Sequence, residues 1–191
     1  ISVPKLPGTI VVGEYDKGAS GVSYSNASRS ATTDTKTGGW MEYTVDVKEE
    51  GLYSFESEVA SNIDGGSFHL SEYSFDDVTF YADIVEVPNT GGNSNFRMMR
   101  AVMTKPLTAG RHRLCLNIDK GGFYIKNLTF SRYEVDENMT CKVERTPSTI
   151  TVDDKTIINV TASSKSSSIA NVKVYANNLL IGACTESSMK I

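Results

Sequence analysis

Hydrophobic and polar residues alternate with a period of two along most of the chain, and no stretch has the spacing of an amphipathic helix. Residues 39–47 predict a half-buried strand with an inward face of Met41, Tyr43, Val45 and Val47. Residues 50–61 predict another, with Tyr53, Phe55 and Val59 inward. Residues 107–118 predict a third after a turn at Ala109 and Gly110, with Leu114, Leu116 and Ile118 inward. Strands of this length, separated by polar turns, predict an all-β protein built as a β-sandwich.

The pattern changes after Glu134, which indicates a second domain. Residues 135–146 are polar and predict either a linker or a first strand. Four short β-like runs follow, separated by an Asp-Asp pair, a Ser-rich loop and an Asn-Asn pair. We therefore expect domains at 1–134 and 135–191, the second much shorter than a complete sandwich of about 100 residues. An incomplete sandwich exposes edge strands and apolar surface, which predicts either packing against the first domain or missing chain.

Charge and hydropathy exclude two classes of partner. The net charge is -4 and no stripe of Lys and Arg is present, which argues against a nucleic acid. No run of about 18 apolar residues occurs, so we expect no insertion into a membrane. The start of the chain lacks a basic region followed by an apolar one, so we expect no signal peptide within these residues.

The cysteines predict neither a disulfide framework nor a metal site. Cys115, Cys141 and Cys184 are odd in number and widely spaced, and none of the spacings suits zinc. Cys115 lies between two leucines in a strand pattern and is expected to be a packed thiol. A disulfide bond between Cys141 and Cys184 is possible on the sequence alone. We expect no metal and no cofactor.

Four segments, in order and spacing, resemble family 6 carbohydrate-binding modules: LPGTIVVGEYD near the start, GWMEYTVDV at 39–47, PNTGG at 88–92 and GGFYIKNLTF at 121–130. The resemblance covers roughly residues 6–131. It implies a jelly-roll-like β-sandwich that binds an oligo- or polysaccharide and targets a secreted or cell-surface protein to a glycan. Any catalytic domain would lie outside these residues, in the same protein or complex.

The second domain resembles another kind of module. The stretch VKVYANNLLIGACT at 172–185 is similar to immunoglobulin-like modules that accompany secreted bacterial glycan-degrading enzymes. That resemblance implies a smaller, incomplete Ig-like β-sandwich, and an extracellular or periplasmic location.

The resemblance also implies a sugar cleft at one end of the sandwich, where aromatic rings pack on a pyranose and polar side chains bond its hydroxyls. The residue after PNTGG, a tryptophan in the family, is Asn93 here, with Phe96 three positions on. The asparagine expected after GGF corresponds to Tyr124, and the acidic or amide residue before the GVxY turn corresponds to Ser20. Arg29, in a shortened loop, is a candidate for a carboxylate or sulfate. These changes predict either a rebuilt cleft or a spacer or interaction module that has lost sugar binding.

A second site on a sheet face is the other implication of the resemblance. The segment 68–87 carries four aromatic residues, and Tyr73 is our candidate for this site. An exposed strip of aromatics would bind a glycan, but we expect Phe75, Phe80 and Tyr81 to fill the sandwich. Trp40 is expected to pack beside the core.

Neither a calcium ion nor catalysis is predicted. The family's structural calcium is held partly by two glutamates of the first strand, and the corresponding residues here are Val11 and Gly13. No opposed carboxylates and no nucleophile motif can be recognised, so we expect the chain not to be an enzyme.

Overall fold

The computed structural model describes residues 3–21, 24–27, 29–30, 33–134, 136–147 and 156–191. It divides into two compact units, Ile1–Tyr133 with Asn177–Leu179, and Glu134–Ala176 with Leu180–Ile191. Within the described residues the regular structure is strand, apart from a short 3₁₀ helix at Val12–Glu14. No helix in this part of the chain has the length and hydropathy needed to cross a bilayer. The prediction of an all-β protein is confirmed.

The strands are short and follow one another closely along the chain. Their bounds are β1 (Lys5–Leu6), β2 (Gly8–Val11), β3 (Tyr24–Ser25), β4 (Thr33–Asp34), β5 (Trp40–Val47), β6 (Tyr53–Ser61), β7 (Gly66–Tyr73), β8 (Val78–Val87), β9 (Gly92–Val102), β10 (Gly110–Lys120), β11 (Phe123–Ile125), β12 (Asn127–Arg132), β13 (Met139–Thr146), β14 (Ile157–Ser164), β15 (Val172–Ala176), β16 (Leu179–Cys184) and β17 (Ser188–Lys190).

The described strands of the first unit form two sheets that enclose a hydrophobic core. The front sheet has the order β1-β5-β10-β7-β8, with β3 also paired to β5. The back sheet contains β9-β6-β11-β4, and β12 joins β6 to β2. Within the front sheet β5, β10, β7 and β8 pair antiparallel with one another, and β1 pairs parallel with β5. This arrangement is a β-sandwich.

The predicted inward faces lie in the core. The residues concerned, all at most 2% exposed, are Met41, Tyr43, Val45, Val47, Tyr53, Phe55, Val59, Leu114, Leu116 and Ile118. The ring of Phe55 in the back sheet lies 6.1 Å from that of Phe68 in the front sheet and 5.6 Å from that of Phe130 in the back sheet. Because these side chains are removed from water, their burial is the main stabilising contribution to the unit.

Three predictions about aromatic residues are wrong. Phe75 is fully exposed in the turn before β8 and Phe80 is 46% exposed, whereas Tyr81 is buried as expected. Phe75 lies between β7 and β8, outside both strands, and Phe80 points away from the core because it is adjacent to buried Tyr81 in β8. Trp40 does not pack beside the core either, because it alternates with buried Met41 and lies on the outer face of the front sheet.

The second unit is small. Its strands β13, β14 and β17 form one sheet, and β15 pairs with β16. The buried core consists of Val160, Ala162 and Val172, with partly buried neighbours. Residues 135–146, predicted as a linker or a strand, include β13, which is exposed along its whole length. Three of the four predicted β-like runs are β14, β15 and β16; the first run, at 149–152, lies outside the described residues, and β17 was not predicted. All three cysteines of the chain are free thiols, and Cys115 is buried as predicted.

Candidate functional site

The outer face of the front sheet carries a row of side chains that crosses the strands. Strand pairing places Trp40 of β5 opposite Asn117 of β10, and Asn117 opposite His69 of β7. The next outward row brings Glu42 opposite Cys115. Outward residues alternate with core residues along each strand, so the row is a direct consequence of the period-two pattern.

A groove of about 260 Å³ lies over these rows. It is lined by Trp40, Glu42, Tyr73, Cys115 and Asn117. Trp40 is half-buried on one side, and Tyr73, 43% exposed, lies on the other. We call this feature the face groove. It combines two aromatic side chains with an amide and a carboxylate, which is the mixture that a polar ligand with apolar ring faces requires.

The floor of the face groove is held by hydrogen bonds. The Nδ2 of Asn117 donates to Ser71 Oγ at 2.8 Å and to the carbonyl oxygen of Cys115 at 3.2 Å. The Oδ1 of Asn117 accepts from the Tyr73 hydroxyl at 3.4 Å and from the Cys115 thiol at 3.5 Å. Since both ends of the amide are engaged, Asn117 and the tyrosine are oriented before any ligand arrives. Burial raises the pKa of the Cys115 thiol to about 12, so it is a neutral part of this floor.

Glu42 is the carboxylate of the face groove. Within the described part of the chain its side chain accepts no hydrogen bond and forms no ion pair. Burial raises the pKa of this carboxyl, while nearby Arg113 lowers it and Asp16 raises it further. A partly desolvated carboxylate without a donor gains most from a ligand that brings one, such as a hydroxyl group.

A second aromatic cluster follows on the side of the edge strand β8. The ring of Phe80 lies 5.5 Å from that of His69, tilted by 49°. The Nδ1 of His69 lies 2.9 Å from both carboxylate oxygens of Asp119. Because a carboxylate accepts, Nδ1 carries the hydrogen, and Nε2 makes no hydrogen bond to any described residue.

The predicted tip site is only partly assembled. A pocket of about 430 Å³ at the tip is lined by Ser20, Tyr24, Asn26, Ala27, Asp34 and Lys36. Ser20 was predicted, and Tyr124 lies beside this pocket because it pairs with Asp34 across β11 and β4. The Lys36 ammonium bonds the Asp34 carboxylate at 2.6 Å, and this hydrogen bond raises the pKa of the lysine.

The remaining predicted tip residues contact other parts of the protein. Arg29 donates from Nη1 to the Tyr15 carbonyl at 2.7 Å and from Nη2 to the Asp16 carbonyl at 2.8 Å. The Oδ1 of Asn93 accepts from the backbone N–H of Asn62 at 3.1 Å. The ring of Phe96 is covered by the ammonium group of Lys126, 3.9 Å from its centroid. None of the three lines the tip pocket.

The residues where the family holds calcium do not fit that ion. Val11 and Gly13 provide no carboxylate, and a Cβ at Gly13 would overlap the carbonyl oxygen of Ser30. The neighbouring carbonyls of Tyr15 and Asp16 already accept from the Arg29 guanidinium. In the described part of the chain no group of three His, Cys, Asp or Glu side chains is arranged to bind a metal.

Trp40, Glu42 and Asn117 were not among the predicted site residues. Their outward position in two strands was readable from alternation, but their proximity depends on the pairing of β5 with β10, which lie far apart in sequence. The reach of Tyr73 across β10 to Asn117 also requires the pairing of β7 with β10.

An aromatic-walled polar groove on the outer face of a β-sandwich is a surface suited to a ligand with apolar ring faces and hydroxyl groups, such as a sugar. The model of the carbohydrate binding module (family 6) matches residues 14–132, and the chain belongs to this family. Among curated proteins, none matches the sequence.

Solved structures share the fold. The C-terminal family 6 module of a marine laminarinase from Zobellia galactanivorans is 23% identical with a TM-score of 0.54, over 65% of this chain and 98% of that one. A module of lichenase 5A from Cellvibrio mixtus, solved with cellotriose, is 20% identical with a TM-score of 0.53, over 66% and 97%. A β-1,3-glucan binding module from Bacillus halodurans is 20% identical with a TM-score of 0.53, over 69% and 100%.

Proposed function

We propose that the first domain binds a glycan in the face groove. The observation that carries this proposal is the juxtaposition of Trp40 and Tyr73 around a fixed amide, with a carboxylate that has no donor among the described residues. The apolar C–H face of a sugar ring packs on the indole, while its hydroxyl groups donate to Glu42 and bond the oriented Asn117. Because the floor is already ordered, little conformational entropy is lost on binding.

The tip pocket is the second candidate site. Ser20 lines it and Tyr124 lies beside it, together with the Asp34–Lys36 ion pair. This pocket has one aromatic lining residue, Tyr24. Its two charged side chains, Asp34 and Lys36, already form an ion pair with each other. We assign Arg29, Asn93 and Phe96 to the internal support of the domain, on the basis of their intramolecular contacts.

The test is a binding titration with Trp40→Ala. Wild-type protein and variant are titrated by calorimetry with cello-oligosaccharides, xylo-oligosaccharides and a soluble β-1,3-glucan, the classes named for the similar structures. We expect Trp40→Ala to weaken binding at least about tenfold, which corresponds to about 1.4 kcal/mol, because a stacking surface is lost. Trp40→Phe keeps a ring and should retain most of the affinity.

Two controls locate the site. Phe75→Ala removes a fully exposed aromatic from a turn outside the face groove and should leave affinity unchanged. Tyr124→Ala tests the tip pocket. Loss of binding in Tyr124→Ala with full binding in Trp40→Ala would move the site to the tip and refute the face groove. Absence of binding to every glycan by folded wild-type protein would favour the alternative, a spacer or protein-interaction module.

The wider role that we propose is targeting. A noncatalytic module of this kind holds an attached or associated catalytic domain near an insoluble glycan and raises its effective concentration there. We propose a secreted or cell-surface location, and a domain division at 1–134 and 135–191 with an Ig-like second domain. The strands and small core of the second unit support its assignment as a β-sandwich domain. We also propose that the whole chain lacks catalytic activity.

A further inference from the structure

Strand β13 forms one edge of a sheet in the second unit. It pairs with β14 on one side, and no strand of the described residues pairs with its other side, which we call the open edge. All eight residues of β13 are exposed. An edge strand of this length presents a row of backbone N–H and C=O groups with which another strand can pair.

The backbone groups that face the open edge follow from the ladder with β14. Asn138, which precedes β13, accepts a hydrogen bond at its carbonyl oxygen from the N–H of Lys165 at 3.1 Å. In an antiparallel ladder, opposite residues exchange hydrogen bonds at every second position, and the residues between them face the other way. The even-numbered residues of β13 therefore face β14, and Cys141 and Val143 direct their N–H and C=O groups to the open edge.

The side chains of β13 place an apolar surface on one face of the sheet and a charged pair on the other. Val143 pairs with buried Val160 and shares its face, yet Val143 is 60% exposed. Met139, on the same face, is 48% exposed. On the opposite face the Lys142 ammonium bonds the Glu144 carboxylate at 2.7 Å, and both side chains are more than half exposed. The open edge thus has Val143 at its centre, between a cation and an anion.

A second copy of β13 is complementary to this edge when the two strands run antiparallel about a twofold axis at Val143. The N–H of each Val143 then donates to the carbonyl oxygen of Val143 in the other copy. Lys142 lies opposite Glu144 of the second copy, and Glu144 lies opposite its Lys142. Opposite charges in facing positions stabilise a strand pair, and like charges destabilise it.

The same charges disfavour the neighbouring registers. Backbone groups that face the edge must pair with one another, so the axis can move only by whole residues along β13. An axis at Lys142 places this lysine opposite itself, and an axis at Glu144 places this glutamate opposite itself. Both arrangements bring like charges together, which leaves the axis at Val143 as the favoured one.

We propose that the second unit forms a symmetric dimer with a second copy of this chain, through antiparallel pairing of the two β13 strands about Val143. The three-stranded sheets of the two copies become one continuous sheet, and the exposed Val143 side chains meet at the axis. A twofold contact uses the open edge of each copy once, so association stops at the dimer. One strand pair makes a small interface, and we therefore expect a dissociation constant in the micromolar range. The dimer forms without a glycan and is independent of the proposed function of the first domain.

The experiment is a charge exchange across the axis, measured by analytical ultracentrifugation over a range of protein concentrations, with a reducing agent and without glycan. Lys142→Glu places two pairs of glutamates in facing positions and Glu144→Lys two pairs of lysines, because the symmetry repeats each substitution. We expect each single variant to weaken dimerisation at least about tenfold, and the double variant Lys142→Glu with Glu144→Lys to restore it. Lys165→Glu is the matched control, because it makes the same change of charge in an exposed loop of the second unit and should leave dimerisation unchanged.

The rescue distinguishes this contact from a loss of folding, and thermal unfolding of each variant checks the same point. A wild-type protein that stays monomeric up to about 1 mM would overturn the proposal. Dimerisation that survives both single variants would also overturn it, since the copies would then meet elsewhere. Failure of the folded double variant to recover would refute the axis at Val143.

Discussion

The contacts of Arg29 predict that its guanidinium stabilises the segment after β2 without a bound calcium ion. The guanidinium donates to two backbone carbonyls and lies 4.1 Å from the centroid of the Tyr15 ring. Tyr15 in turn packs against Tyr24, with ring centroids 4.8 Å apart, and Tyr24 lines the tip pocket. Arg29 thereby joins the segment after β2 to the loop that follows β3.

The perturbation is Arg29→Met, which removes the charge and both hydrogen bonds but keeps an unbranched apolar stem. Each hydrogen bond contributes about 1 kcal/mol at this partly exposed position, and the cation–π contact adds about 0.5 kcal/mol. We therefore expect the free energy of unfolding to fall by about 2.5 kcal/mol. For a protein of this size that corresponds to a fall in Tm of about 5–10 °C.

The assay is urea and thermal unfolding, each with a chelator, with added calcium and without either. Arg111→Met is the matched control, because Arg111 is exposed and its guanidinium makes no hydrogen bond to a described residue. Wild-type stability should be the same in all three solutions. Burial raises the pKa of Tyr15, and the charge of Arg29 opposes this increase. In Arg29→Met the pKa of Tyr15 should therefore be higher than in the wild-type protein. The reasoning is refuted if Arg29→Met is as stable as wild type, or if calcium stabilises the wild-type protein.

Two further predictions concern the floor of the face groove. Burial raises the pKa of Glu42, so the folded protein holds this proton more tightly than the unfolded chain, and stability decreases as pH rises above the ordinary glutamate value. Glu42→Gln should therefore be modestly more stable at pH 7, which urea unfolding measures. It should bind glycan about fivefold more weakly, since a charged acceptor is lost, and calorimetry measures this affinity. Stronger glycan binding by Glu42→Gln would contradict the assignment of Glu42 to the site. Because burial raises the pKa of Cys115 to about 12, this thiol should resist a disulfide reagent in native protein at pH 8, whereas exposed Cys141 reacts at once. Fast labelling of Cys115 before urea is added would show that the floor is open.

Much of the fold could be predicted from alternation along single segments. Met41, Tyr43 and Val45 point inward because a strand presents every second residue to the same face, and an apolar face must be buried. The same rule applies to Leu114 and Leu116 of β10. It fails in β8, where consecutive Tyr81 and Ala82 are both buried and consecutive Asp83 and Ile84 are both exposed, because the pairing with β7 is irregular there. A bulge depends on the partner strand and leaves no periodic signal of its own.

The candidate site was less predictable than the fold. The family resemblance predicted a site at the tip that includes Arg29, Asn93 and Phe96. In the structure each of these side chains instead contacts another part of the protein. A side chain at the surface can bond to any of several neighbours, and the sequence of its own segment does not indicate which neighbour is near. Tyr73 was identified as a candidate, but its opposite wall was not.

The sequence by itself determined the all-β class, the inward faces of the long strands and the family of the first domain, because these depend on local alternation and on motifs that lie within segments. Only the tertiary structure decided which outward residues share a surface. Trp40, Asn117 and Tyr73 come from three strands that are remote in sequence, and the antiparallel pairing of β5, β10 and β7 brings them to one groove. Pairing between distant strands is set by the packing of the whole sandwich, and that information is not contained in any one strand.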